Sequence, residues 1–140
     1  MARKLEELPV YLKACEFNVA VGAIIARPAF GRNRKLHDQI ADANESILAN
    51  MDEGFEQSTD AALANYLYIS KGSIAEVIVR LKSAARRGWI TRAECAELAA
   101  RGEEIQRMLG GWIKYLKRSD FKDRGRFKRP ECKDSPEADS

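Results

Sequence analysis

Residues 46–76 read SILANMDEGFEQSTDAALANYLYISKGSIAE, and the spacing of their apolar side chains decides the fold. Ile47, Met51 and Phe55 recur every four residues; beyond a polar break, Leu63, Tyr66, Leu67, Ser70, Ile74, Val77, Ile78 and Leu81 keep the same helical period. Two amphipathic helices therefore meet here. Gly54 stands where the first is expected to end, because glycine accepts the left-handed conformation that helix termini often need. Ser58, Thr59 and Asp60 offer side-chain oxygens to the unpaired N–H groups that open the second. So short a polar connection folds the two helices back as antiparallel neighbours.

The same stretch places Ser46, Asn50, Asp52, Glu53, Asn65, Ser70, Ser73 and Glu76 on or beside the apolar stripe. One reading makes them helix-to-helix hydrogen bonds, with Gly72 and Ser73 letting the backbones approach, since buried polar groups need partners whatever their role. The other is a metal site. A di-iron bundle requires Glu-x-x-His pairs projecting inward, and the single histidine, His37, has no glutamate three residues before it. No metal and no other cofactor is expected.

Upstream, Pro9 suits a first helical position and opens a helix to about Ala26, stopped by Arg27, Pro28 and Gly31. This helix has two apolar stripes: Leu12, Cys15, Val19, Ala23 and Ala26 form one, and Val10, Ala14, Phe17, Val21 and Ile24 a second. A four-helix monomer covers one face of a helix, so the second stripe predicts self-association; the alternative is a broad core-facing surface. The next helix is expected from near Arg32, with Leu36, Ile40, Ala43, Ile47 and Met51 inward and Arg32, Arg34, Lys35 and His37 at its entrance. Such a cluster is usually just solvated, yet cations gain nothing from the dipole at a helix N-terminus, which makes a binding role a little more attractive than usual.

Downstream, the third helix runs from about Asp60 to Arg87 and turns basic with Arg80, Lys82, Arg86 and Arg87 before Gly88 ends it; cations there complement the helix dipole, which is explanation enough for some of them. Thr91 and Glu94 form a capping box that starts a fourth helix reaching about Lys117. Leu98, Ile105, Leu109, Trp112, Ile113 and Leu116 face inward on it, with Gly110 and Gly111 as an expected close-packing point. Residues 1–118 form the expected bundle and residues 119–140 a basic, disordered tail. From Lys114 to Lys133, nine cations oppose three carboxylates, a local charge of +6 (9 − 3), with Phe121 and Phe127 interleaved. Lys117, Arg118, Lys122, Arg124, Arg126, Lys128 and Arg129 suit a phosphate backbone, and the rings suit exposed bases. A tail serving only solubility is the alternative.

With 140 residues, 45% hydrophobic and 32% charged, one soluble domain is the default. The net charge of +3 is too small to name a partner, so the argument rests on where charges lie. Cys15, Cys95 and Cys132 are far apart and in no CxxC pair, which disfavours disulfides or zinc and implies a reduced, cytoplasmic setting. The run FNVAVGAIIA is too short to span a membrane.

Leu36, Gln39, Ile40, Ala43, Ser46, Ile47, Asn50, Met51, Glu53 and Gly54 resemble the second-helix pattern of a bacterial family of four-helix bundle proteins, those encoded in intervening sequences of large-subunit ribosomal RNA. Leu67, Ile69, Gly72, Ser73 and Glu76 are similar to its third helix; Gly88, Trp89, Ile90, Arg107, Leu109, Trp112 and Ile113 are similar to its turn and fourth helix. The resemblance covers roughly Leu8 to Leu116. It implies an up-down bundle assembled as a homopentameric ring, and a relationship to the accessory variability determinant of diversity-generating retroelements, which has a basic surface and serves a reverse transcriptase and its RNA. The chain departs from the family at Leu48, where proline is usual, and at Ala41 and Asp42, which replace a pair usually rich in arginine.

The expectation is thus an all-α antiparallel four-helix bundle in a ring-shaped homo-oligomer, non-catalytic, binding RNA or DNA or acting as an adaptor, with a reverse transcriptase as a candidate partner. Arg32, Arg34, Lys35, Arg86 and Arg87 join the tail cations as candidate contacts. A structural scaffold with no nucleic-acid contact is the first rival. The second takes residues 88–102 as the recognition half of a helix-turn-helix. No enzyme is expected: His37 has no nucleophile or carboxylate partner placed by the sequence, and no glycine loop cradles phosphate.

Overall fold

The computed structural model describes residues 4–123, with side chains described as far as Arg118. Four helices follow one another: α1 Pro9–Ile25, α2 Arg34–Phe55, α3 Asp60–Arg86 and α4 Arg92–Asp123. Short 3₁₀ turns at Leu5–Glu7 and Pro28–Arg32 precede α1 and α2. No strand occurs among the described residues. Up-down antiparallel order follows from the contacts between neighbours: Asn18 meets Asn44 across α1 and α2, Ser70 meets Ile47 across α2 and α3, and Arg27 at the end of α1 meets Glu94 at the start of α4.

Each boundary has a local cause. Pro9 occupies the first turn of α1. Asn33 caps α2 by accepting from the Leu36 N–H at 3.0 Å, so the helix starts two residues later than expected and leaves Arg32 in the preceding turn. Thr59 caps α3 through the Ala62 N–H at 3.1 Å. Thr91 and Glu94 close the expected capping box: the Glu94 N–H donates to Thr91 Oγ1 at 3.0 Å and the Thr91 N–H donates to Glu94 Oε1 at 2.9 Å. Gly88 has φ +80°; its N–H bonds the Ala85 carbonyl and that of Trp89 bonds Ala84, both at 3.0 Å, the double bond of a Schellman terminus.

The core takes the α3 stripe as expected. Leu63, Leu67, Ser70, Ile74, Val77, Ile78 and Leu81 are buried and meet Ile40, Ile47 and Met51 from α2 and Leu98, Ile105, Leu109, Ile113 and Leu116 from α4. Polar side chains in the seam bond between helices. Ser70 Oγ donates to the Ile47 carbonyl at 2.8 Å, and Ser73 Oγ donates to Ser46 Oγ at 2.8 Å. Asn50 Nδ2 reaches the same serine. A second polar clamp is not legible in the spacing: Asn18 and Asn44 each donate to the other's carbonyl, at 2.9 and 3.0 Å.

Four expectations are corrected. Val10, Ala14, Phe17, Val21 and Ile24, the stripe expected to be left for a neighbour, lie in the core, while Leu12, Val19, Ala23 and Ala26 face outward. Phe17, Val21 and Ile24 carry more apolar area than Cys15, Ala23 and Ala26, and the larger area wins the interior. Gly54 does not end α2 in a left-handed conformation. It is buried inside the helix, where a Cβ would lie 2.7 Å from Tyr66 Cβ, so its role is to let α2 and α3 touch. Close packing of α4 likewise falls at Gly102, where a Cβ would meet Ile78, Ile74 and Phe17 at 2.9 to 3.3 Å; around Gly111 there is open space and beside Gly110 only the Lys71 side chain. Finally, α4 continues to Asp123, the last described residue, rather than stopping near Lys117; no glycine or proline falls between Leu116 and Asp123 to break it.

Candidate nucleic-acid interface

The antiparallel order gathers the C-termini of α1 and α3 with the N-termini of α2 and α4 at one end of the bundle. Arg27, Arg32, Arg34, Lys35, Arg86, Arg87 and Arg92 converge there from the helix ends and their connections, so residues far apart in sequence form one positive surface. Their local carboxylates are Asp38 and Glu94. Arg27 holds Glu94 through two hydrogen bonds, Nη2 at 2.7 Å and Nη1 at 3.1 Å. That pairing, with the Thr91 N–H, pulls the Glu94 carboxyl down from 4.5 to about 2. Arg34 Nε lies 3.8 Å from Asp38, whose oxygen is also 2.9 Å from His37 Nδ1. Arg87 stacks over the Trp89 ring at 5.4 Å, and Trp89 meets Phe30 edge-on at 5.4 Å.

The remaining cations stand free. Arg32, Lys35, Arg86 and Arg92 are exposed and have no ion-pair partner among the described residues. The structure thus brings Arg32, Arg34, Lys35, Arg86 and Arg87 together, although the sequence presents them as two separate clusters. It also joins to them Arg27 and Arg92, which spacing alone does not single out. Their signal is the antiparallel order itself, which puts every odd helix end beside every even helix start.

The other candidates are elsewhere. Lys117 and Arg118 lie on the far part of α4, about 38 Å along the helix from Arg92 at 1.5 Å per residue. That exceeds a Debye length of about 8 Å several times over, so the two groups act as independent electrostatic surfaces. Lys122 falls in the last turn of α4; Arg124, Arg126, Lys128 and Arg129 lie outside the described residues. The start of α4 is a wall of the core through Cys95 and Leu98, which removes it as a free recognition helix.

The far end also carries an acidic cleft. Glu6, Glu7, Asp52, Glu53 and Glu56 surround a cleft there, and Tyr11 Oη donates to Asp52 at 2.9 Å. Burial and that carboxylate raise the Tyr11 phenol from 10.0 to about 12. Cys15, half-buried on α1, has its thiol raised by burial, which leaves it little thiolate character. Among the described residues no His, Cys, Asp and Glu side chains group to hold a metal ion, and no helix is long and apolar enough to cross a membrane.

An all-helical bundle with one cationic end and one contiguous apolar core is the class these features define. The chain belongs to the family of 23S rRNA-intervening sequence proteins, which it matches over residues 6–111. It is also similar to the crystal structure of a protein of unknown function from the S23 ribosomal protein family of Bacteroides thetaiotaomicron, with a TM-score of 0.65 and 25% identity over 75% of this chain and 98% of that one. None of the curated proteins matches.

Proposed function

We propose that this chain is a non-catalytic, self-associating protein that binds RNA or DNA through the basic end of its bundle, in a cytoplasmic setting. The observation that carries the reading is the set Arg32, Lys35, Arg86 and Arg92: four exposed cations without an ion-pair partner among the described residues, at one end of the bundle and beside a guanidinium stacked on Trp89. Lys35 and Arg34 sit in the first turn of α2, which has no acidic residue, so the helix dipole opposes them. A polyanion supplies the compensation the chain itself omits. Self-association has its own support in Leu12 and Val19, 51% and 71% exposed on the face of α1 that its bundle leaves bare. A ring, five-membered as the family resemblance implies, multiplies weak phosphate contacts into avidity. An accessory role beside a reverse transcriptase belongs to the same implication.

Tyr68, Ile69 and Val79 on the outer side of α3, at 68%, 48% and 60% exposure, support a second reading, a scaffold that docks another protein. Binding of a structured RNA and of duplex DNA across a salt series separates the two. Nucleic-acid binding through the basic end predicts affinity that falls steeply with salt and collapses in the triple variant Arg32→Ala, Lys35→Ala, Arg86→Ala. Absence of binding even at low salt leaves the scaffold.

A further inference from the structure

The end of the bundle remote from the basic cluster carries an apolar pocket beside an acidic cleft, and Phe55 lines both. The pocket, about 560 Å³, is walled by Leu8, Pro9, Phe55, Met108, Trp112 and Tyr115. Trp112 is half-buried against the edge of Phe55 with ring centroids 6.5 Å apart, and Tyr115 is 62% exposed. Within the cleft five carboxylates face a single cation, Lys4, a local charge of −4 (1 − 5). Glu6, Glu7, Glu53 and Glu56 have no ion-pair partner among the described residues. Asp52, Glu53 and Glu56 stand at the C-terminal end of α2, whose last turn holds no basic residue, so the dipole opposes them too. Carboxylates this uncompensated beside bare aromatic surface suit a ligand that is both cationic and aromatic.

The chain carries such a ligand where it is needed. α4 ends at Asp123 on this same end, and residues 124–140 follow. Residues 124–133 hold Arg124, Arg126, Lys128, Arg129 and Lys133 against Glu131, a charge of +4 (5 − 1), with Phe127 among them and Gly125 free to turn the chain back. Tyr115 lies about 12 Å back along α4 from Asp123, and the four residues to Phe127 span about 13 Å when extended. Full extension of those four residues just matches the distance back to Tyr115, and the cations that follow Phe127 in sequence have correspondingly longer reach. Trp112, Tyr115 and this segment all lie beyond the family match, which ends at residue 111.

We propose that residues 124–133 fold back onto their own bundle, seating Phe127 against Trp112 and Tyr115 and setting their cations on the carboxylates at the C-terminal end of α2. Tethering favours the chain's own segment over a second copy, because a short linker holds it at an effective concentration near millimolar. A segment held there is withheld from polyanions, so nucleic acid and cleft compete for it. That consequence rests on the proposed nucleic-acid binding, whereas the docking does not.

The test uses the full chain carrying Trp89→Phe, in which Trp112 is the remaining tryptophan, and contains no nucleic acid. Trp112 emission and its quenching by acrylamide are compared with those of a chain ending at Asp123 and of Phe127→Ala, which alters one side chain beyond α4. Docking predicts a red shift and faster quenching in both, and a shift in the same direction when Glu6, Glu7, Glu53 and Glu56 are changed to Gln. Identical emission and quenching in the full and shortened chains overturn the proposal. Protection that grows with protein concentration assigns the pocket to a second copy's segment and overturns docking within one chain.

Discussion

The two ends of α2 carry charge of the sign that the helix dipole disfavours, and they handle it differently. At the N-terminal end, Arg34 has Asp38 at 3.8 Å and Asn33 caps the helix, yet Lys35 stays bare and five further arginines gather around it from the other helix ends. At the C-terminal end Asp52 accepts from Tyr11, while Glu53 and Glu56 find no cation among the described residues. A helix optimised only for its own stability would carry the reverse arrangement. On the two proposals made above, charges left this way mark where local consistency is given up for a partner, a polyanion at one end and the chain's own basic segment at the other.

The largest effect is expected on nucleic-acid binding. Removing Arg32, Lys35 and Arg86 together should lower affinity sharply and flatten the slope of log K against log salt by about 0.9 for each duplex phosphate that is no longer neutralised. An unchanged slope in a salt titration would remove the basic end from the interface. Packing comes next. Gly54→Ala drives a Cβ into Tyr66 Cβ, an atom fixed to the α3 backbone, and should cost about 1–3 kcal/mol in urea unfolding. Gly88→Ala at the opposite end meets open space but strains a left-handed backbone, by about 1–2 kcal/mol. Gly111→Ala, with nothing near it inside α4, should instead stabilise by about 0.5–1 kcal/mol.

Dipole effects are smaller and sharpen the comparison of the two ends directly. Lys35→Glu and Glu56→Lys should each add about 0.3–1 kcal/mol of stability at low salt. The first should also weaken nucleic-acid binding, so a gain in unfolding midpoint with a loss of affinity is the signature of a functional cation. Least in size is an acid limb from Glu94. Its folded value, about 2, lies below the ordinary 4.5, so its contribution is complete above pH 4.5 and is lost as pH falls toward 2. Glu94→Gln should flatten the stability profile in that window, as followed by circular dichroism.

Much of this fold is legible in the chain. The α3 stripe from Leu63 to Leu81, the Thr59 cap, the Thr91–Glu94 box and the Gly88 terminus are local features, fixed by spacing within a few residues, and they stand where spacing puts them. The serines of the α2–α3 seam read as interhelical hydrogen bonds, and Ser70 and Ser73 make them. The candidate site is legible only as fragments. Arg32 to Lys35 and Arg86 with Arg87 stand out as separate clusters, and nothing local tells that they share a surface while Lys117 and Arg118 lie about 38 Å away. Arg27 gives no local signal, because its importance is its neighbours and not its position in a pattern.

What the sequence determined by itself is whatever depends on period and capping: four helices, their approximate limits, one core face on each of α2, α3 and α4, and the family's pattern of residues. What only the tertiary structure decided is whatever depends on which surface meets which. For α1, with apolar residues on two sides, spacing could not choose the buried face; packing against α2 and α4 chose Phe17 and Val21 and left Leu12 and Val19 outside. Gly54 reads as a helix end and spacing does not single out Gly102, until the approach of Tyr66 and Ile78 shows both to be contacts. The gathering of seven cations at one end of the bundle, and of five carboxylates around a cleft at the other, belongs to the same class: charge is written residue by residue, but the field it makes is set by the antiparallel order of the helices.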